Sequence, residues 1–331
     1  MLSRAVELID ADAALRALAP EWEALWRRAP DATPFQSPAW LLAWWRRFGT
    51  GAPRVSTLRA GDGRLLGLLA LYLLDERDER KLLPIGAGVS DYLDALLDAD
   101  ASPDTAGWLL EAALRRARAD GVSICDLTDL PPGSPLRDAP PSAGWRGACV
   151  PTDPCPVLRL SATGLAASVP AGKRRDLRQA RHRAMRIGGW ASEIATAETA
   201  QELLRALARL HAARWDGGGV LDERVMAFHR DAAPALLACG ALRLQALRFG
   251  CDIAAVYYAL LAGSDRVLFY LSGFDAAYAR ASPGTLLLGE MIEAAIAEGR
   301  RELHFLRGAE AYKYAWGGVD RFNATRRLRP A

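Results

Sequence analysis

Apolar residues recur at helical spacing between Asp10 and Ala29, where Leu15, Leu18, Trp22, Leu25 and Trp26 share one face, and this predicts an amphipathic helix. Ser37-Pro38 offers a cap and a first-turn proline for a second helix through Phe48. The pattern then becomes strand-like at 54–60 and 64–74, joined by the hairpin signal Gly61-Asp62-Gly63. Short strands follow at 81–85 and 92–97, then a helix over 104–119 that ends at Gly121, and a strand over 122–127.

The second half repeats this order. A helix at 172–186 precedes a strand near 190–196, helices at 198–215 and 222–238, a hairpin of 242–248 with 253–261, and a strand at 266–274. A helix over 285–298 ends at Gly299, and a strand follows at 302–306. Helix-Asp120-Gly121-strand in the first half thus mirrors helix-Glu298-Gly299-strand in the second, which reads as a duplication. The expected fold class is α/β, with a unit over 1–150, a unit over 151–331, and the proline-rich stretch 131–156 as linker. Two such units side by side would leave a groove, a favoured place for a ligand.

The chain has 331 residues, 51% hydrophobic and 24% charged, which is enough apolar material for two real cores. A net charge of +3 is too small to imply nucleic acid by itself. Charged residues break up the first 18 positions, and the longest apolar run, Leu65 to Leu74, is half the ~20 residues a bilayer span requires, so a cytoplasmic protein is expected. The cysteines at 125, 149, 155, 239 and 251 show no paired spacing, and the histidines no HxxxH, so reduced thiols and no metal are expected.

Chemistry concentrates near the C-terminus. Ser282-Pro283-Gly284-Thr285 opens an apolar helix after a strand, and a glycine in a first helical turn lets a ligand approach amides able to hold phosphate. The same residues could equally start a core helix. After the next strand comes Phe305-Leu-Arg-Gly-Ala-Glu-Ala-Tyr-Lys-Tyr-Ala-Trp316, rich in groups that move protons or hold anions. Arg307 and Lys313 could neutralise phosphate or a developing oxyanion. Glu310 could take a proton from an attacking amine, and Tyr312 could protonate a leaving thiolate. The plain alternative is a solvated loop with an aromatic clasp.

These two motifs, with Tyr270-Leu-Ser-Gly-Phe-Asp275, Tyr278-Ala-Arg280, Pro34-Phe-Gln-Ser-Pro-Ala-Trp40, Ser90-Asp-Tyr-Leu-Asp94 and Leu210-His-x-x-Arg-Trp215, resemble the CelD-like acyltransferases of polysaccharide biosynthesis. That family is a branch of the GNAT superfamily related to the Fem-type peptidyltransferases. The resemblance implies tandem GNAT-like units, each a mixed twisted sheet flanked by helices, with the donor held by the second. It implies acetyl-CoA or a longer acyl-CoA on Ser282, Pro283, Gly284 and Thr285, near Arg280. The edge amides of Tyr270, Leu271, Ser272 and Gly273 would meet the pantetheine and the acyl carbonyl. His304 stands where relatives carry Asp, and is either a base or a half-buried strand histidine. Asp91 is a second candidate base, with Tyr92 beside it. Gln36, Trp40, His211, Arg214 and Trp215 are candidates for an acceptor wall, although His211 to Trp215 also reads as a basic helix end.

The stretch from Lys173 to Arg186 holds seven cations and one acid, a local charge of +6. It is either a solvated face or a surface that orients an anionic acceptor through Arg174 and Arg178. It has few aromatics for base stacking, so sequence-specific nucleic-acid binding is not expected, and nothing in it singles out a membrane surface. The leading expectation is N- or O-acyl transfer by direct attack on the thioester, to a small-molecule, sugar or peptide acceptor. Fem-type transfer from aminoacyl-tRNA and a non-catalytic scaffold in polysaccharide assembly are the alternatives.

Overall fold

The structure is a computed structural model that describes residues 6–76, 79–140, 144–214 and 221–331. It divides into two compact units, one of Met1–Asp153 with Phe322–Ala331, the other of Pro154–Arg321. Among the described residues no helix is long and apolar enough to cross a membrane.

In the first unit β1 (Val6–Ile9) leads through α1 (Asp12–Ala17), α2 (Ala19–Arg28) and α3 (Pro38–Phe48) to a meander of β2 (Ala52–Arg59), β3 (Leu65–Glu76) and β4 (Glu79–Pro84). The two-residue β5 (Leu96–Leu97), α4 (Thr105–Ala119) and β6 (Ile124–Leu130) follow. The single helix expected over 10–29 is divided at Leu18, because Pro20 has no N–H to continue the ladder. Ser37 caps α3 as its sequence implies, accepting a bond from the Trp40 amide. The sheet is antiparallel except for β4 and β6, which run parallel and are bonded only at Lys81↔Ile124 and Leu82↔Cys125. Leu58, Leu71, Leu109, Leu114, Leu127 and Leu328 meet in its core.

β7 (Trp145–Arg159) replaces the second part of the expected linker. Its prolines at 151, 154 and 156 each lack a ladder donor, which is why the segment reads as a break in sequence. The second unit continues with α5 (Leu165–Ser168), α6 (Ala171–Arg186), β8 (Ala191–Ile194), α7 (Ala200–Arg214) and α8 (Glu223–Ala238). The meander β9 (Leu242–Phe249), β10 (Asp252–Ala262) and β11 (Arg266–Phe274) comes next, then α9 (Pro283–Ala297) and β12 (Glu302–His304). The last elements are α10 (Ala311–Ala315) and β13 (Val319–Pro330). Here too the sheet is antiparallel apart from one pair, β11 with β12, joined at Arg266↔Glu302, Val267↔Leu303 and Leu268↔His304. Both units are therefore mixed α/β sheets flanked by helices, with the same order of strands, meander, helix and parallel strand.

Successive side chains of β10 show the two faces of the second sheet. Tyr257 enters the core formed with α6 and α9, while Tyr258 packs on His229 of α8. The helices α6 and α9 lie very close, since a Cβ on Gly289 would stand 2.6 Å from the Leu177 side chain. That proximity brings the basic helix to the start of α9.

The closing strand of the first unit comes from the far end of the chain, whereas that of the second unit comes from its own first residues. β6 is flanked by β13, with Leu328 opposite Cys125, whereas β12 is flanked by Val157 to Arg159 of β7. Residues 322–331, assigned by sequence to the second unit, thus complete the first, and Leu328 is fully buried there. A chain lacking residues 319–331 is expected to lose the cooperative unfolding transition of the first unit. A differential-scanning trace that kept both transitions would contradict the observed strand order.

Candidate active site

The second unit's site forms where β11 outruns its parallel partner. Beyond Leu268↔His304 the residues Phe269 to Phe274 pair with β10 alone among the described residues, and Tyr270 is the extra residue of a bulge opposite Tyr258 and Ala259. A short 3-10 turn, Ala276–Ala281, carries the chain to Ser282, whose φ of 54° is left-handed, and α9 begins at Pro283 without a side-chain cap. The other parting strand ends the same way, for Leu306 follows β12 with φ 60°. Left-handed backbone at non-glycine residues costs energy and tends to collect at functional sites. The first unit has a counterpart at Asp129, φ 56°, next to the last residue of β6.

The two C-terminal motifs and the basic helix converge on one lysine. Lys173 of α6 places Nζ 3.5 Å from Thr285 Oγ1 in the first turn of α9 and 5.1 Å from the centre of the Trp316 ring. Burial lowers its pKa, with Asp176 acting in the opposite sense. One surface of α6 further on, Arg183 donates from Nη2 to Ser282 Oγ at 3.1 Å, while its Nε is buried with no hydrogen-bond partner. The helix start proposed to take phosphate is therefore flanked by two cations that sequence reading left in the solvated run. A signal existed: Lys173 lies four residues before Leu177 and so shares the apolar stripe of α6.

The loop after β12 is held from within. Lys313 is buried, and its ammonium donates to the carbonyls of Leu306 (3.1 Å), Arg307 (2.6 Å) and Gly308 (3.1 Å), with the Glu310 carboxylate at 2.9 Å. Three N–H groups thus face four acceptors. Glu310 is exposed at the start of α10, and a Cβ on Gly308, where φ is 111°, would run into its carboxylate. Arg307 is half-buried; Tyr312 is half-buried edge-on to Phe305; Tyr314 bonds Asp320 at 2.9 Å.

His304 is buried on β12 and its Nε2 lies 3.0 Å from Glu302, which also takes both Arg321 nitrogens. Burial lowers the histidine's pKa, against the carboxylate's pull, so the ring is neutral and Nε2–H donates. The His304 bond, with Arg321, brings the Glu302 carboxyl down to about 2. Tyr270 half-emerges from β11 against His229 and Tyr258, and burial alone brings His229 down to about 3. Leu271 and Ser272 are half-buried and Gly273 buried along the open stretch of β11, whereas Arg280 is exposed in the turn ahead of α9. His211 is turned inward, with Nδ1 3.3 Å from the Ser272 carbonyl. Arg174 gives Nε to the Val169 carbonyl at 3.0 Å, while Arg178 is exposed. Trp215 and the side chain of Arg214 lie outside the described residues.

The first unit uses its own motifs in packing. Gln36 takes both the amide and hydroxyl of Thr33, Trp40 donates to Ser90 Oγ at 2.9 Å, and Phe35 meets Trp40 and Tyr92 edge-on. Gln36, Trp40, Tyr92 and Asp91 are all buried, and the Asp91 carbonyl receives Asn323 Nδ2 at 2.7 Å. Asp94, three residues on, borders an apolar cavity of about 20 Å³, room for one water, and burial pushes its carboxyl up to about 7.

Residues 171–314 match the family model described as an acetyltransferase (GNAT) domain. The second unit is thus similar, over those residues, to a GNAT domain. Among solved structures the chain is similar to FemX, at 13% identity and TM-score 0.67, over 93% of this chain and 95% of that one. It is also similar to the C-terminal domain of an assigned lysylphosphatidylglycerol synthetase from Agrobacterium fabrum, at 15% identity and TM-score 0.59, over 96% and 92%. A tandem GNAT protein of the clavulanic acid biosynthesis pathway aligns at 15% identity and TM-score 0.51, over 98% of both chains. No curated protein sequence matches. At these identities the structures establish shared fold, and within residues 171–314 lie Lys173, Arg183, the open stretch of β11, the start of α9 and the Lys313 loop.

Two outcomes follow from these bonds. Lys313→Met strands three buried carbonyls and is expected to lower stability by about 1–3 kcal/mol, read by thermal denaturation. Stability should also depend on acid. His304 and Glu302 both have lowered folded pKa values, so their contributions are complete above about pH 6.5 and 4.5 and are lost as pH falls below each. Urea midpoints measured across this range should fall through both intervals, and Glu302→Gln should reduce the lower fall, the rest of which comes from other paired carboxylates such as Asp98, Asp120 and Glu298.

Proposed function

We propose that the second unit is an acyltransferase that binds an acyl-CoA along the open stretch of β11, with its pyrophosphate at the start of α9. The observation that carries this reading is that β11, parted from β12 after Leu268, leads into a helix start flanked by Lys173 and Arg183. Extended backbone of Tyr270 to Gly273 suits the amide-rich pantetheine arm, and a helix N-terminus with two cations suits a diphosphate. The GNAT match supports the same assignment.

In this proposal an amine or hydroxyl acceptor attacks the thioester carbonyl directly and the thiolate leaves, with no covalent enzyme intermediate. Glu310, exposed at the mouth of the loop, receives the acceptor's proton through solvent. The open amides of β11 stabilise the oxyanion. Lys313 is assigned a positioning role, since its N–H groups hold the Leu306, Arg307 and Gly308 carbonyls and so shape the wall opposite β11. His304, neutral and engaged with Glu302, orders β12. The resemblance to CelD-like enzymes supports a sugar or peptide acceptor of polysaccharide assembly, and cytoplasmic acetyl-CoA or a longer acyl-CoA as donor.

A second reading, transfer from aminoacyl-tRNA, is favoured by one feature: the cations at α9 belong to a helix of charge +6, to which a polynucleotide phosphate would bind as well as a diphosphate. Calorimetric titration with acetyl-, butyryl- and palmitoyl-CoA separates the two. Micromolar binding is expected, weakened about tenfold by Arg183→Ala through loss of a charged hydrogen bond. It should be weakened further by Gly284→Val, whose Cβ stands an ordinary 3.5 Å from the Phe274 ring and leaves the fold intact. Absence of binding to any thioester would refute the acyl-CoA donor.

A further inference from the structure

The two sides of α6 have different chemistry. Lys173, Leu177, Ala180, Arg183 and Ala184 turn toward α9, with Leu177, Ala180 and Ala184 fully buried. At 100° per residue Arg175, Arg178, His182, Met185 and Arg186 fall on the opposite side, and all five are exposed. Among the described residues none of the three arginines forms an ion pair; Glu293 is paired with Arg181 and Glu290 bonds Trp190 and Ser192, which leaves Asp176 of α6 itself as the one nearby acid not so engaged.

The tip of this stripe is apolar. Met185 is 66% exposed and Ile187, just past the helix end, 54%. The edge strand β8 adds Ile194, 57% exposed, on the same face as Ser192, whose bond to Glu290 marks the side where α9 and α6 lie. Three of the seven large hydrophobic side chains exposed among the described residues fall in these ten positions. Solvent gives them no favourable environment, and the packing of α6 does not use them.

We propose that the outer face of α6 docks on an anionic lipid bilayer, the arginines against lipid phosphates and Met185, Ile187 and Ile194 in the headgroup–acyl boundary. A cationic stripe with protruding apolar residues at one end is the pattern that an interfacial helix presents. A nucleic acid would satisfy the arginines and leave the apolar tip in water, and the stripe has no Phe, Tyr or Trp and a single imidazole, His182, for a base to stack upon. The inference is independent of the donor assignment, because Lys173 and Arg183 occupy the other side of the helix.

The test is flotation of the full chain with phosphatidylcholine vesicles, with and without a minority of phosphatidylglycerol. Binding is expected only to the anionic vesicles and should weaken as salt is raised. Replacing Arg175, Arg178 and Arg186 by Ala should reduce partitioning about a hundredfold, roughly fivefold for each arginine near the surface. Met185→Ser with Ile187→Ser leaves the charge unchanged and should reduce it roughly tenfold, in proportion to the apolar area withdrawn. That pair is exposed, so the thermal midpoint and thioester titration should not move. Absence of binding to anionic vesicles, or binding indifferent to the serine pair, would overturn the proposal. So would binding to bulk tRNA that displaces the vesicles and ignores the serine pair.

Discussion

Two parallel strands joined over three residues and then parted organise the second unit. Had β12 continued alongside β11, the amides of Tyr270 to Gly273 would be spent on a neighbouring strand and no ligand could approach them. The separation is kept open by the loop after β12, which leaves the sheet through a left-handed Leu306. Holding that conformation against its intrinsic cost requires bonds from elsewhere. They come from the buried Lys313 ammonium and from the Phe305 and Gly308 amides, which donate to the Pro156 and Pro154 carbonyls of β7.

Cations at this site therefore divide by burial. Lys313, buried among carbonyls, is committed to the backbone around it. Lys173 and Arg183, half-buried beside an uncapped helix start, keep charge close to a place where negative charge would be welcome. Lys173 has a lowered pKa through burial, and an arriving anion would reverse that effect. A polyphosphate would thus meet a site whose charge state its own arrival reinforces.

Much of this was legible in the sequence and some was not. The amphipathic helices, the hairpin at Gly61-Asp62-Gly63 and the repeated element order follow from periodicity and turn chemistry. The motif at Ser282-Pro283-Gly284-Thr285 pointed to a helix start preceded by a strand, and that is what forms. Residues 131–156 read as a linker because prolines in their second part mask β7, a strand whose pairing is non-local. The strand at 319–330 left no clear signal, since its partner, β6, lies almost two hundred residues earlier in the chain. Lys313 looked reactive because residue type reveals charge but not burial, and the role of Lys173 appeared only once α6 was seen against α9. Gln36, Trp40 and Tyr92 carry polar edges and aromatic rings that suit an acceptor wall, and the first unit turns them inward as a clasp.

The distant origin of the first unit's closing strand bears on how the protein comes into being on the ribosome. A unit whose residues were contiguous could fold as soon as it cleared the exit tunnel. Here the first unit has its strands through β6 early, yet the strand that flanks β6 is among the last to be made. Between Asp153 and Phe322 roughly 170 residues must be added, which at typical elongation rates takes about 10 to 30 s. Throughout that interval the outer edge of β6, with Cys125 and Leu127 beside it, lacks its native neighbour. An unpaired strand edge is a template for wrong pairing, so the nascent chain carries through most of its synthesis a liability that the finished protein covers with β13.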